Sequence, residues 1–396
     1  MAQDFHHGVT VEESPDSVRP ITTISTAVIG IICTADDADE DAFPLDTPVL
    51  LTDVEGALGK AGTSGTLYKV LNAISLQARP QTVVVRVAEG ESAAETTSNV
   101  IGTVKPDGTR TGIKALEAAS GIVSVKPRIL AAPWLDTQPV ANALASLGQA
   151  TRAMAYVAAR DDDGELVQTK EAAALYRKQF GQREIMIIWP DFIAWDDQAS
   201  ESIEVPAVAY AVGLRAKIDQ TIGWNRTISN ISVNGVTGIS KSVSWDLQNP
   251  ATDAGFLNEN QVTTLVSRDG FRFWGSRTTS DDPRFEFESY TRTAQVLADT
   301  IAEAQMPVID GVIVPMLPRD IIASIRAKFR SMVAQGQLIG AGADFPVDRN
   351  GVAELIDGKL AVRYRYTPTP PLENLTLIQV QTDEYLMDFA QQVAAG

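Results

Sequence analysis

Few residues of this sequence could act as a nucleophile, a general base or a metal ligand. The chain has 396 residues but only two histidines and one cysteine. His6 and His7 are neighbours in an N-terminal segment without a helical pattern, so the rest of the chain has no histidine for a Ser-His-Asp triad or a Cys-His pair. A zinc site would also need ligands that the chain lacks. Carboxylate chemistry without a metal stays open.

Two runs of aspartate are the remaining candidates for a site. Asp37, Asp39 and Asp41 match the first positions of a calcium loop, but alanine stands where that loop needs glycine, and proline where it needs a closing glutamate. The aspartates at 161–163 precede Gly164 and fit a solvated turn. Neither glycine-rich phosphate-binding motif, G-x-G-x-x-G or G-x-x-x-x-G-K-S/T, occurs. We therefore expect no cofactor and no metal.

Charge and cysteine content narrow the partners and the compartment. The net charge of −17 repels nucleic acid and anionic lipid, so neither is an expected partner. Cys33 lies in the apolar run at 27–33 and has no second cysteine to pair with, which fits a reducing compartment. No apolar run near the N-terminus approaches the roughly 20 residues that span a bilayer.

The elements that would position any site begin with a regular alternation after about residue 112. Strand patterns at 128–132, 153–159 and 184–189 alternate with helix patterns at 139–150, 169–180 and 205–219. This βαβαβα order predicts a parallel α/β sheet with right-handed crossovers. Upstream, apolar strands at 27–33 and 82–88 flank a helix at 67–76.

The C-terminal part follows another pattern. Helices are predicted at 290–304 and 320–335, the second ending at Gly336. A strand of alternating polarity follows at 360–366, and a second strand-like stretch at 375–382 leads into the tail.

The helix at 320–335 carries two separate stripes. At about 100° per residue, Arg326 and Arg330 share one face, with Arg319 just before the helix in line with them. An apolar stripe should pack on the domain, formed by Ile322, Ile325, Phe329 and Val333.

These patterns predict an α/β and α+β multidomain protein with a central parallel α/β segment, a C-terminal domain of a helix plus a β-hairpin, and extended N- and C-terminal arms. A chain of 396 residues exceeds the roughly 250–300 residues that one core supports. The expected divisions are an N-terminal arm (1–24), an N-terminal β-rich domain (25–111), a central α/β domain (112–280), a C-terminal domain (281–372) and a C-terminal strand and arm (373–396).

The first 24 residues allow two interpretations. Val9 and Val11 alternate with polar residues as in a short strand, and prolines at 15 and 20 interrupt the pattern. Such a segment buries too little apolar surface to order itself. Composition alone favours a frayed terminus over an arm that adds to another sheet.

Four stretches of the sequence resemble one known family. They are the segment from Gly8 to Gly30, VPAVAYAVGLRAKID at 205–219, LNENQVTTLVSRDGFRFWGSRT at 257–278 with its Trp-Gly-x-Arg-Thr core, and GKLAVRYRYTPTPP near the end of the C-terminal domain. In order and coverage they are similar to the tail sheath family of contractile-tailed bacteriophages and R-type bacteriocins. The resemblance extends over nearly the whole chain.

That resemblance implies a structural subunit and not an enzyme. Sheath subunits stack as hexameric rings around a tail tube, and their contraction drives the tube through the host cell envelope without consuming a nucleotide. The implied partners are other copies of the chain, the tail tube protein, the baseplate and the tail terminator. The implied location is the virion tail, with assembly in the host cytoplasm, and the central α/β and C-terminal domains become the sheath domain and the inner domain.

The family also implies roles for particular segments. The arms are expected to add strands to neighbouring subunits, which replaces fraying as the interpretation of residues 1–24. The residues that would make these contacts are Val9, Val11, Val18 and Ile21 in the N-terminal arm and Leu375, Leu377 and Val380 in the C-terminal strand.

The basic stripe of Arg319, Arg326 and Arg330 is expected to face the tube. The alternative is that these arginines form ordinary surface ion pairs, each worth about 0–1 kcal/mol.

Three other functions remain as alternatives. A sheath of a bacteriocin-type or secretion device would share the same physics. A tube or baseplate protein is disfavoured because tube subunits are far shorter. An α/β hydrolase would be supported by a pocket at the strand ends lined by paired carboxylates.

Overall fold

The structure, a computed structural model, describes residues 21–161 and 163–395. Its strands are β1 (Ile29–Thr34), β2 (Val49–Leu51), β3 (Thr82–Val87), β4 (Ile129–Ala131), β5 (Met154–Ala158), β6 (Ile185–Ile188), β7 (Phe192–Asp196), β8 (Glu201–Val205), β9 (Gly238–Ile239), β10 (Thr264–Ser267), β11 (Phe271–Trp274), β12 (Leu338–Asp344) and β13 (Arg363–Pro368). Its α-helices are α1 (Val54–Ala57), α2 (Leu67–Ser75), α3 (Ala93–Ile101), α4 (Gly112–Glu117), α5 (Ala119–Ile122), α6 (Gln138–Thr151), α7 (Lys170–Arg177), α8 (Ala207–Thr221), α9 (Asp253–Glu259), α10 (Glu288–Ala304), α11 (Met316–Ala334), α12 (Val352–Ile356) and α13 (Glu384–Ala395). Short 3-10 turns lie at Leu58–Lys60, Pro283–Phe285, Met306–Val308 and Val347–Arg349.

A six-stranded sheet forms the centre of the main body, in the order β2-β3-β1-β4-β5-β6. The five strands from β3 to β6 in this order pair in parallel, and β2 runs antiparallel at the edge. Every residue of β1, β3, β4, β5 and β6 is buried, as expected of parallel strands covered on both faces. The predicted mixed α/β fold is confirmed. Strands from both sides of the boundary expected at 111 and 112 share this sheet, and the division into domains stays a prediction.

Helix α8 carries side chains into the interior of the body. Eleven of its fifteen residues are buried, because it packs on both the sheet and α2. Gly213 permits this approach, since an added Cβ there would lie 3.0 Å from the Cα of Ile74. The helix therefore places Arg215, which has no exposed surface, inside the protein.

Two smaller antiparallel sheets extend the body. Strands β7, β8 and β9 form one, and β10 and β11 form a hairpin. The hairpin turns at Asp269 and Gly270, both with positive φ, which suits an Asp-Gly turn between twisted strands. The chain leaves the hairpin after Trp274, where β11 ends.

A second apolar core lies between α10, α11 and the pair β12-β13, which together form the C-terminal unit. Leu297 of α10, Phe329 of α11 and Leu338 of β12 belong to it. Two residues from distant parts of the chain complete it, namely Ile21 and Trp224. The C-terminal unit thus closes its core with one residue of the N-terminal segment and one of the body.

The apolar stripe predicted on α11 is confirmed at Ile325 and Phe329, partly buried at Ile322 and wrong at Val333. The buried apolar residues are Ile321, Ile325, Phe329 and Met332, whereas Val333 is 37% exposed. The helix starts at Met316 and not at residue 320 as predicted. Pro318 lies in its first turn, where the N–H groups have no partner within the helix, so this proline does not interrupt it. Its end at Gly336 is as predicted: the amides of residues 336 and 337 donate to the carbonyls of residues 333 and 332, and the chain turns so that β12 packs against α11.

The last predicted strands also differ from the structure. Strand β13 starts at Arg363, opposite Asp344 of β12, so pairing with β12 determines where it begins. The stretch at 375–382 forms no strand with the described part of its own chain. A terminal helix, α13, follows it and was not predicted.

Candidate functional site

The ends of the parallel strands hold a buried ion pair where a hydrolase would have its site. Arg160 donates from Nε to Oδ1 of Asp136, and Asp191 accepts a 2.8 Å hydrogen bond at Oδ1 from the amide of Ala207 at the start of α8. Asp136, Arg160 and Asp191 are 0%, 4% and 3% exposed. The two acidic side chains therefore bind an arginine and a helix terminus in the interior and do not line the open pocket that the hydrolase interpretation requires.

Asp37, the first aspartate of the calcium-loop pattern, forms hydrogen bonds that connect two loops. Oδ2 of Asp37 accepts from the amide and hydroxyl of Thr63, and Oδ1 accepts from the amide and hydroxyl of Ser64, at 2.6–3.0 Å. These bonds, the Ser64 hydroxyl first, hold the pKa of Asp37 well below its usual range. Across residues 21–161 and 163–395, no group of three His, Cys, Asp or Glu side chains is placed to hold a metal ion.

Exposed apolar side chains are concentrated in the C-terminal part of the chain. Of the 29 large apolar side chains exposed among the described residues, 8 precede residue 281 and 21 follow it. Exposed apolar surface is typical of interaction sites, so the C-terminal part is the candidate surface for contacts with partners. No helix of the described part is long and apolar enough to cross a membrane.

The apolar residues predicted for the C-terminal strand are mostly exposed. Leu375, Leu377 and Val380 are 65%, 81% and 74% exposed. They lie in a stretch without helix or strand in which every residue from 372 to 383 is exposed. Their expected role in contacts between copies stays a prediction, as does that of Val9, Val11 and Val18, which lie outside the described residues.

Ile21 lies against its own chain. It is 9% exposed within the second core, and the ammonium group of Lys328 on α11 donates a 2.7 Å hydrogen bond to the hydroxyl of nearby Thr23. Burial lowers the pKa of Lys328. The N-terminal segment is thus attached to the C-terminal unit from Ile21 onward, and its role between subunits stays a prediction.

The pair β12-β13 has free edges in the described part of the chain. The two strands pair with each other and with no further strand there. Tyr364 and Tyr366 point inward, whereas Arg363 and Arg365 are exposed and bind Asp344. A two-stranded sheet leaves backbone N–H and C=O groups unpaired along its outer edges, which is the surface that an added strand requires.

The three arginines of the expected basic stripe are all exposed. Arg326 donates from Nε to the carbonyl oxygen of Ala343 on β12 at 2.8 Å, so its guanidinium is partly held by its own sheet. Neither it nor Arg319 or Arg330 forms an ion pair with a carboxylate that the structure describes. The alternative of ordinary surface ion pairs therefore finds no partner in this part of the chain.

The buried polar cluster that joins the α/β body to the C-terminal unit was not predicted from the sequence. Arg215 of α8 donates from Nη1 to Oε1 of Glu288 at 3.1 Å, and its Nη2 lies 2.7 Å from Oδ1 of Asp219. Arg292 pairs with the same aspartate, and the hydroxyl of Tyr156 donates to Glu288. An arginine within the apolar run AVAYAVGLRA, with an aspartate four residues later, was the available signal.

A second ionic contact fixes the other end of α10. Asp299 accepts from Lys126 at 3.1 Å, from Arg152 at 2.6 Å and from Arg128. Helix α10 therefore turns charged groups toward the body and apolar ones toward the C-terminal unit.

Comparison with known proteins agrees with this architecture. Family models match residues 26–87 (tail sheath protein Gp18 domain III, N-terminal region), 108–279 (phage tail sheath protein central domain) and 280–382 (phage tail sheath C-terminal domain). The tail sheath protein of Escherichia phage P2 is 52% identical over 98% of this chain and 99% of its own, and the major tail sheath protein of Serratia phage KSP20 is 48% identical over 97% of both chains.

Solved sheath structures share the fold at low sequence identity. The contracted helical sheath of the anti-feeding prophage covers 95% of this chain and 99% of its own, with a TM-score of 0.69 and 15% identity. The contracted PVC sheath complex of an extracellular contractile injection system covers 97% and 100%, with a TM-score of 0.70 and 15% identity. By its domains, its relatives and its fold, this chain belongs to the phage tail sheath family.

Proposed function

We propose that copies of this sheath subunit polymerise as stacked hexameric rings around a tail tube and that their contraction drives the tube through the host cell envelope. The observation that carries the proposal is the 52% identity with a phage tail sheath protein over nearly the whole length of both chains. The role is structural, not enzymatic. The partners are other copies, the tail tube protein, the baseplate and the tail terminator, in the virion tail after assembly in the host cytoplasm.

Two features of the C-terminal part of the chain support a role in self-assembly. Its exposed apolar residues, and the edges of β12-β13 that pair with no other described strand, are the features that strand addition between copies requires. Each backbone hydrogen bond of an added strand contributes about 0.5–1.5 kcal/mol net, so a few bonds in every subunit hold the polymer firmly. An extended arm of twenty residues reaches up to about 66–72 Å, which is enough to cross to a neighbour.

The basic stripe of α11 supports contact with the tube. Arg319 and Arg330 project without a described acidic partner from a chain whose net charge is −17. Exposed ion pairs with acidic groups of the tube are weak and screened by salt, with a Debye length of about 3 Å at 1 M. Weak contacts suit a sheath that must release the tube when it widens.

A contractile injection device other than a phage tail is the second candidate. The likeness in fold to the anti-feeding prophage and PVC sheaths favours it. Both candidates would share the same physics of assembly and contraction.

Negative-stain electron microscopy of the purified chain tests the proposal. Without a tube, the subunits should form hollow cylinders of the contracted type, because contraction runs downhill. Sedimentation that shows only monomer at all protein and salt concentrations would contradict self-assembly.

A further inference from the structure

The C-terminal tail leaves the body at a defined point. Every residue from 372 to 383 is exposed, yet Glu373 is held to the body by a bidentate ion pair. Nε of Arg277 lies 2.9 Å from Oε1 of Glu373, and Nη2 lies 2.7 Å from Oε2. Two parallel bonds fix direction as well as distance, which a single contact does not.

Arg277 is also held by residues outside the tail. Its guanidinium lies 5.5 Å from the ring centroid of Phe287, and its Nη1 lies 3.5 Å from Oε2 of Glu286. The hydrogen bond to Glu373 raises the pKa of Arg277 by more than burial lowers it. Contacts with Phe287 and Glu286 therefore help to orient the guanidinium group independently of the tail.

The Trp-Gly-x-Arg-Thr motif explains how the chain presents this arginine. Gly275 has a φ of 135°, and an added Cβ would lie 2.9 Å from the Cα of Thr263, so no larger residue fits. The hydroxyl of Thr278, which is buried, donates to the carbonyl of Phe285 at 2.8 Å. The motif thus anchors both sides of Arg277 and leaves its side chain at the surface.

We infer that Arg277 is a positioning residue that clamps Glu373 and so sets where, and in which direction, the C-terminal tail leaves the subunit. The inference rests on the proposed function in one respect: the clamp aids assembly if the tail binds a neighbouring copy. Residues 374–383 span up to about 33–36 Å when extended, so the direction at Glu373 decides which neighbour the tail reaches.

The clamp can be measured in the isolated subunit. A nitroxide label attached to a cysteine introduced by Leu377→Cys reports the motion of the tail. The label reacts only there, because native Cys33 is fully buried and burial raises the pKa of its thiol to about 12. Spectra are recorded below the concentration at which the chain polymerises. Glu373→Gln should make the label more mobile, whereas the matched control Asp383→Asn, which removes the same charge from the same exposed segment, should not.

A double variant separates the clamp from general loosening. If Arg277 and Glu373 act through one contact, Arg277→Gln combined with Glu373→Gln leaves the label no more mobile than either single change. Equal mobility of wild type and Glu373→Gln, or the same increase in the Asp383→Asn control, would overturn the inference.

The consequence for assembly is tested apart from the clamp. The pair is partly exposed, so Glu373→Gln should raise the critical concentration for polymerisation about two- to fivefold. A chain ending at residue 372 isolates the tail. If that chain polymerises like wild type, the proposed role of the tail in assembly fails, while the label spectra still decide whether the clamp exists.

Discussion

Asp191 should make the body of this protein less stable as the pH rises. Burial raises the pKa of its carboxyl group from 3.8 to about 7. The charge of Arg160 and the amide of Ala207 lower the pKa, and the charges of Asp136 and Glu204 raise it, but burial dominates. The folded state therefore disfavours the ionised form that the unfolded chain adopts above pH 4.

The sign and size of this effect follow from linkage. An acid whose pKa is raised by folding releases its proton more readily when unfolded, so stability falls between about pH 4 and pH 7 and then levels off. A shift of about three units corresponds to about 4 kcal/mol, and relaxation around the charge reduces this to about 2–4 kcal/mol. The substitution Asp191→Asn introduces a side chain that mimics the protonated acid and keeps an oxygen that can accept from the amide of Ala207.

Urea unfolding of Asp191→Asn and wild type at pH 4, 6 and 8 checks this prediction. The variant should be more stable at pH 8 by about 2–4 kcal/mol, and the gain should shrink to below about 1 kcal/mol at pH 4. Asp197→Asn, at an exposed position on the β7–β8 hairpin, serves as the control and should show no such trend. A gain independent of pH, or a loss at pH 8, would refute the assignment of a buried, nearly neutral carboxyl.

Three further predictions concern assembly and the join between the two parts. Replacing Arg326 and Arg330 by glutamate should leave folded subunits that form empty contracted cylinders but no extended sheath on tail tubes; full extended tails in electron micrographs would count against tube contact. Removing residues 1–20 should give a soluble, folded monomer, and normal polymers from it in sedimentation would show that the arm is dispensable. Arg215→Met should cost about 3–5 kcal/mol in urea unfolding, because Glu288 and Asp219 lose a fully buried partner; a change below about 1 kcal/mol would mean that the cluster adds little.

The main sheet was predictable from sequence because its signal is local. The apolar runs that became β1, β3, β5 and β6 are typical of buried strands, and their alternation with helices predicted a parallel sheet. The position at which a strand begins was less accessible. Strand β13 starts where β12 is available to pair, which its own residues do not encode.

The candidate site was less predictable because it depends on distant contacts. The basic stripe on α11 followed from helical spacing alone, and its arginines are exposed as expected. The apolar stripe was correct at Ile325 and Phe329 but wrong at Val333, because helical spacing alone does not show where the covered side of the helix ends. The pairing of Arg277 with Glu373 joins residues 96 positions apart and leaves no periodic trace in the sequence.

The shared second core limits how this protein can exchange parts with its relatives. Ile21 and Trp224 lie far from residues 281–395 in sequence, yet they fill the space between α10, α11 and β12. A recombination event that replaced the segment after residue 280 would therefore pack the helices and strands of another protein against the original Ile21 and Trp224. Hybrids should survive when the incoming segment comes from a close relative, or when positions 21 and 224 change with it. Recombination breakpoints should thus be selected by packing as well as by chain order.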